Sequence, residues 1–187
     1  PQVCRVRVAD GDGERVRRVV RLWHRRQIQH NFYHVLHLRL IRAAVAGDGL
    51  LDLQGRILKV GHTALRHALS PDAGIWEYRG RTRVHTHSAA MCWVAADRLA
   101  RIAVELGRDD DARRWREAAD ALGRTILERA WHGTEDGGWF AGSLDGDELD
   151  AGVLLLHELG LVEPSDPRFV ATVEEIGRRL SADGLIR

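Results

Sequence analysis

Apolar side chains return every three or four residues along most of this chain, and that spacing limits its fold far more than composition does. Leu53, Ile57, Val60, Ala64 and Ala68 stand 4, 3, 4 and 4 residues apart, which aligns them on one face and predicts a helix over about 51–69. Met91, Ala95, Leu99, Ile102 and Leu106 repeat the pattern, with Thr86 or Ser88 as candidate N-caps and Gly107 as the closing C′ residue. Trp115, Ala119, Leu122, Ile126 and Ala130 form a third stripe, entered through Asp109, Asp110 and Asp111, whose charges suit a helix N-terminus. Leu149, Val153, Leu156 and Leu159 support a shorter helix stopped by Gly160. Asp166 and Pro167 then supply an N-cap and an N1 proline for a last helix through Phe169, Val173, Ile176 and Leu180.

Arg15 to Ala46 contains neither Gly nor Pro and is expected to be helical, as one long helix or as two with a break near His30. Gly133 to Gly146 combines turn residues with Trp139 and Phe140 and is expected to be a loop or a short hairpin. No run alternates in the manner of a half-buried strand. The pattern is therefore that of an all-α array of antiparallel helix hairpins, each burying its stripe on its neighbours.

Charge and cysteine content exclude several function classes. The 28 basic and 27 acidic side chains leave a formal charge of +1, so nothing points to nucleic acid or an anionic membrane. No apolar run approaches the roughly 18 residues of a membrane span. Cys4 and Cys92 are far apart and form no CxxC spacing, which argues against a disulfide framework or zinc knuckle and for a reducing, cytoplasmic setting. Lys59 is the only lysine among abundant Arg, Ala and Gly, a bias of GC-rich bacterial genomes. The opening Pro1-Gln2-Val3-Cys4 carries neither an initiator Met nor a signal-peptide pattern, and the chain is expected to be a piece of a longer one. No Ser-His-Asp spacing, P-loop or dinucleotide glycine pattern appears.

The segment between the first two stripes breaks the helical pattern and collects chemistry. Pro71-Asp72-Ala73-Gly74-Ile75-Trp76-Glu77-Tyr78-Arg79-Gly80 places an indole next to a carboxyl. A tryptophan face can stack on the apolar face of a pyranose. A neighbouring carboxyl in a partly dry setting has a raised pKa and can protonate a glycosidic oxygen. The alternative is structural, with Trp76 filling the core and Glu77 paired with Arg79 or Arg81 on the surface. The spacing alone leaves both open.

This decapeptide, followed by His87-Ser88-Ala89-Ala90-Met91-Cys92-Trp93-Val94-Ala95-Ala96-Asp97-Arg98, resembles bacterial glycoside hydrolase family 15, which contains glucoamylases, glucodextranases and some trehalases. Leu149-Asp150-Ala151-Gly152-Val153-Leu154-Leu155-Leu156, then Asp166-Pro167-Arg168 and Thr172-Val173, is similar to later helices of that family in the same order. The resemblance covers residues 48–187. It implies an (α/α)6 toroid and inverting hydrolysis of α-glucosidic bonds by a general-acid and a general-base glutamate. By the motif, Glu77 is the general acid and Trp76 an adjoining substrate-binding residue. A glucoamylase-type activity on an α-glucoside or oligosaccharide is the leading expectation, with α,α-trehalose hydrolysis as the alternative. A third reading is a non-catalytic sugar-binding or helical interaction fragment. No cofactor is expected, since two carboxyls perform this reaction unaided.

Departures from the family pattern qualify the expectation. The family's general base lies beyond the region corresponding to Arg187, so residues 1–187 are expected to form a partial toroid domain without it. Residues 1–47 are expected to be a divergent part of that same domain. An open toroid would leave apolar stripes exposed at both ends and self-associate through these helix edges. Gln27-Ile28-Gln29-His30-Asn31-Phe32-Tyr33-His34 is similar to a family segment that carries Asp where Asn31 stands and Gly where His34 stands. That Asp binds the terminal glucose in the family. Asn31 keeps an acceptor without the charge and is the second candidate substrate contact. The family's Ser-Lys is Ser88-Ala89 here.

Other constellations have structural alternatives. His30, His34 and His37 share a helical face, with His24 nearby, but no carboxylate in register completes a metal shell, and no metal is expected. His85 and His87 either meet sugar hydroxyls or cap the next helix, and capping is favoured. Asp72 suits a turn better than a sugar contact. Asp150 either supports the cavity or serves as a first-turn helix acid. Trp131, Trp139 and Phe140 suit a core or hairpin role at least as well as a cleft lining.

Overall fold

Among the described residues, the three longest helices fall where the apolar spacing places them. The computed structural model describes residues 50–80, 82–134, 137–182 and 185–186. The expected helical stretch Arg15–Ala46, with Asn31 and the clustered histidines, lies outside them. Helix α1 spans Leu50–His67, α2 Thr86–Glu105 and α3 Asp109–Arg129. A hairpin of β1 (Trp131–Thr134) and β2 (Gly137–Phe140) follows, pairing Trp131 with Phe140 and Thr134 with Gly137 in antiparallel register. A 3-10 turn at Ala151–Leu154 leads into α4 (Leu155–Leu159), and α5 spans Pro167–Arg179. The two-residue strands β3 (Ser181–Ala182) and β4 (Leu185–Ile186) pair with each other.

Local chemistry explains the helix ends. Gly107, with φ 66°, turns the chain from α2 into α3, and its N–H and that of Arg108 donate to Val104 and Ala103 at 3.0 and 2.9 Å. This pair of bonds satisfies carbonyls that a helix C-terminus would leave orphaned. Gly160, at φ 85°, closes α4 the same way through its own N–H to His157 and that of Leu161 to Leu156. Asp166 caps α5 by accepting from the Arg168 N–H at 2.8 Å, with Pro167 in the first turn.

The α3 stripe is buried as expected, from Trp115 through Ala119, Leu122 and Ile126 to Ala130. On the other two long helices the expected stripes are buried only in part, with Leu99 buried and Ile57 packed against the core. Val60 on α1 and Met91 on α2 are exposed, and the buried positions are Gly61 on α1, Ala68 just past its end, and Ala89, Ala90, Trp93, Ala96, Leu99, Ala100 and Ala103 on α2. Small residues supply much of the buried face. A Cβ at Gly61 would collide with Leu99 Cδ1 and sit 2.9 Å from Trp115 Cη2, so the missing side chain is what lets α1 approach the α2–α3 pair. Thr86 and Ser88 are not N-caps. His85 holds the N-cap position without a side-chain bond, and the Thr86 hydroxyl donates instead to the Ala141 carbonyl at 2.7 Å.

Among the described residues, one charged group lies inside this helix layer. Asp97 on α2 is 1% exposed and is met by Arg101 at 2.9 Å, by Arg116 of α3 at 2.8 Å and by Arg98. Burial works against its carboxylate, but the Arg116 hydrogen bond and the charges of Arg101, Arg98 and Arg116 outweigh it and hold its pKa below the usual range. Arg116 reaches across the helix interface, so the pair ties α2 to α3.

Candidate active site

The loop between α1 and α2 is fastened at its base and open at its tip. Asp72 and Arg83 exchange backbone hydrogen bonds of 2.8 and 3.2 Å, and Asp72 Oδ1 accepts from the Gly74 N–H at 2.8 Å. The turn role expected of Asp72 is thus what it performs. Gly74 has φ 69°, and a Cβ there would lie 2.9 Å from the His85 ring, which is buried and stacks on Tyr78 at 5.7 Å and 21°. His85 therefore supports the loop from beneath. His87 is half-buried. Its pKa is lowered by burial, against the opposing charges of Asp150 and Asp72.

Backbone bonds at the tip repeat those that close α2 and α4. The Tyr78 N–H donates to Ala73 at 2.8 Å and the Glu77 N–H to Gly74 at 3.1 Å. Glu77 takes the left-handed position, with φ 51°. Glycine holds that position in the other two closures, and a side chain there costs roughly 1–2 kcal/mol. Glu77 is thus a non-glycine residue in a conformation that favours glycine, as is Asp145 at φ 57°.

Trp76 does not fill the core. It is 57% exposed, with its indole N–H donating to both oxygens of Asp150, at 3.0 and 2.9 Å. Asp150 also accepts from the Gly152 N–H at 2.6 Å as the cap of the 3-10 turn. The first-turn role weighed for Asp150 is thus observed, alongside its bond to Trp76. Nearby, Glu148 pairs with Arg83 and accepts from the Ser143 hydroxyl at 3.1 Å. Burial opposes its charged form. Its own and the Asp147 backbone amides, Ser143 and Arg83 together hold its pKa below the usual range.

Of the carboxylates Asp72, Glu77, Glu148 and Asp150, only Glu77 has neither a side-chain hydrogen bond nor an ion pair among the described residues. The surface pair to Arg79 does not form. Glu77 is also exposed, so the partly dry setting expected for it is not supplied by these residues. Trp139 and Phe140 act structurally, as the indole N–H of Trp139 donates to the Asp147 carbonyl at 3.2 Å and Phe140 is fully buried against Trp131. Among the described residues no group of His, Cys, Asp or Glu could hold a metal ion, and no helix is long and apolar enough to cross a membrane. Sequence reasoning missed the pairing of Arg83 with Glu148, for which no local signal exists.

Comparison with known proteins places this loop in a wider context. The family model described as glycosyl hydrolases family 15 matches residues 64–187. A trehalase of Mycobacterium tuberculosis is 41% identical over 123 residues, which are 66% of this chain and 18% of the relative. A trehalase of Mycolicibacterium smegmatis is 37% identical over the same shares. Trehalase 2 of Sulfolobus acidocaldarius is 36% identical over 112 residues, 59% of this chain and 19% of the relative. The chain thus spans less than a fifth of the length of these curated relatives. No solved structure matches it significantly.

Proposed function

Since the chain belongs to glycosyl hydrolases family 15, we propose that it forms the acid-bearing part of a trehalase, an enzyme that cleaves α,α-trehalose with inversion. Its helix hairpins are a segment of the (α/α)6 toroid of that family, and residues 1–47 are taken as a divergent part of the same domain. The observation that carries the proposal is the tip of the α1–α2 loop, where an exposed indole stands beside the one partnerless carboxyl of the site.

In this reading the Trp76 face receives the apolar face of a glucose ring. Glu77 donates its proton to the bridging oxygen as the bond to the departing glucose breaks. Substrate closing over the tip would exclude water from the carboxyl before transfer. Asn31 is the second proposed sugar contact, a hydrogen-bonding partner for terminal hydroxyls. The water-activating carboxylate, roughly 6.5–9.5 Å from the acid in inverting enzymes, is proposed to come from a part of the toroid that these residues do not include.

Trehalose is preferred to maltose-type substrates because the relatives above are named trehalases. The test is a chimaera in which residues 64–187 replace the matching stretch of the Mycobacterium tuberculosis relative. Glucose release from trehalose exceeding that from maltose and isomaltose is the expected result. Preferential cleavage of maltose would return the assignment to a glucoamylase.

A further inference from the structure

Trp76 is exposed, yet its indole N–H is engaged by two oxygens of one carboxylate. An exposed tryptophan would otherwise exchange among rotamers, and ordering it on substrate binding would cost affinity. Asp150 is a rigid anchor for this bond. Its Oδ1 also accepts from the Gly152 N–H at 2.6 Å, and a Cβ on Gly142 would lie 2.7 Å from Asp150 Cβ, so two glycines fit closely around it. The bond bridges 74 residues of sequence and joins the loop tip to the 3-10 turn before α4.

We propose that Asp150 is a positioning residue for sugar recognition, holding the Trp76 indole so that its open face meets the pyranose. The inference rests on the sugar-site reading of the loop. Carboxylate acceptance at the indole N–H also sends electron density into the ring, whose faces carry the negative end of its quadrupole and attract the partly positive C–H groups of a sugar. One anchored bond therefore fixes the ring's direction and strengthens its stacking. Asp150 reaches Glu77 only through its neighbour Trp76.

The experiment is nitrogen-15 NMR of the tryptophan indole N–H signals of this chain, with Trp76→Phe identifying the Trp76 signal. Asp150→Ser keeps an oxygen to cap Gly152 but lacks the reach to the indole, and Asp150→Asn keeps both reach and an acceptor. The remaining indole signals report whether each variant is folded. In Asp150→Ser, exchange of the Trp76 indole proton with water is expected to quicken about tenfold, and the trehalose concentration that half-saturates its shift is expected to rise about as much. Asp150→Asn should restore most of both. A Trp76 signal indifferent to Asp150→Ser overturns the anchor. A signal that depends on Asp150 but ignores trehalose overturns the positioning role together with the sugar-site reading.

Discussion

Glu77 occupies at the tip of the α1–α2 loop the left-handed closing position that Gly107 occupies at the end of α2. The backbone bonds are the same, but the residue is one that this conformation disfavours. Folding alone would select glycine there. Glu77→Gly is therefore expected to stabilise the chain by about 1 kcal/mol, read as a raised urea midpoint. A lowered midpoint would mean that the carboxylate has a structural contact, against its assignment to substrate.

Gly61 sets the approach of α1 to Leu99 and Trp115. Helix propensity alone would make Gly61→Ala a gain of about 1 kcal/mol. Overpacking of a tight contact costs roughly 1–3 kcal/mol, and the methyl would enter the space of Leu99. A net loss of stability is expected on thermal denaturation, growing with Gly61→Val. A gain for both variants would show that the helices are not in close contact.

Asp97 should carry acid sensitivity. Its folded pKa lies below the unfolded value, which is near about 3.9. Its stabilisation is therefore full above that value and is lost as pH falls through the lowered folded pKa. Asp97→Asn is expected to cost about 2–3 kcal/mol at neutral pH and to flatten the acid limb of a stability–pH curve below about pH 4. An unchanged acid limb would place the sensitivity elsewhere.

His87 should act at milder pH. Its folded pKa is lowered by burial, so the unfolded chain binds the proton first, below about pH 6.5. Stability is full above that pH and declines as pH falls toward the lowered folded pKa. Replacement by Gln should remove this decline, measured as urea midpoints between pH 7 and 5. Persistence of the decline in His87→Gln would assign it to another group.

Legibility from sequence varied with side-chain size. The α3 stripe of Trp115, Leu122 and Ile126 is legible because large apolar residues mark the buried face. On α1 and α2 the expected stripes hold at Leu99 but not at Val60 or Met91, because much of the buried face is built of small residues, Gly61, Ala89, Ala96, Ala100 and Ala103, that periodicity of apolar bulk does not single out. The helix ends at Gly107, Gly160 and Asp166 were legible because capping is local chemistry. The Trp76-Glu77 pair stood out because its loop interrupts the periodicity. Its anchor on Asp150 was not legible as a contact, since no local rule joins residues so far apart. The left-handed φ of Glu77 was hidden for the opposite reason, as glycine is the usual signal of that conformation.

General-acid catalysis by Glu77 is tested most directly by leaving-group dependence in the chimaera carrying residues 64–187. A substrate that needs protonation to depart should distinguish Glu77 from Glu77→Gln, whereas one with an activated leaving group should not. Trehalose cleavage is expected to fall by roughly 10²–10⁴-fold in Glu77→Gln, while release of dinitrophenolate from the dinitrophenyl α-glucoside falls far less. Equal losses on both substrates, or trehalose cleavage unaffected by the substitution, would contradict the assignment of Glu77 as the acid.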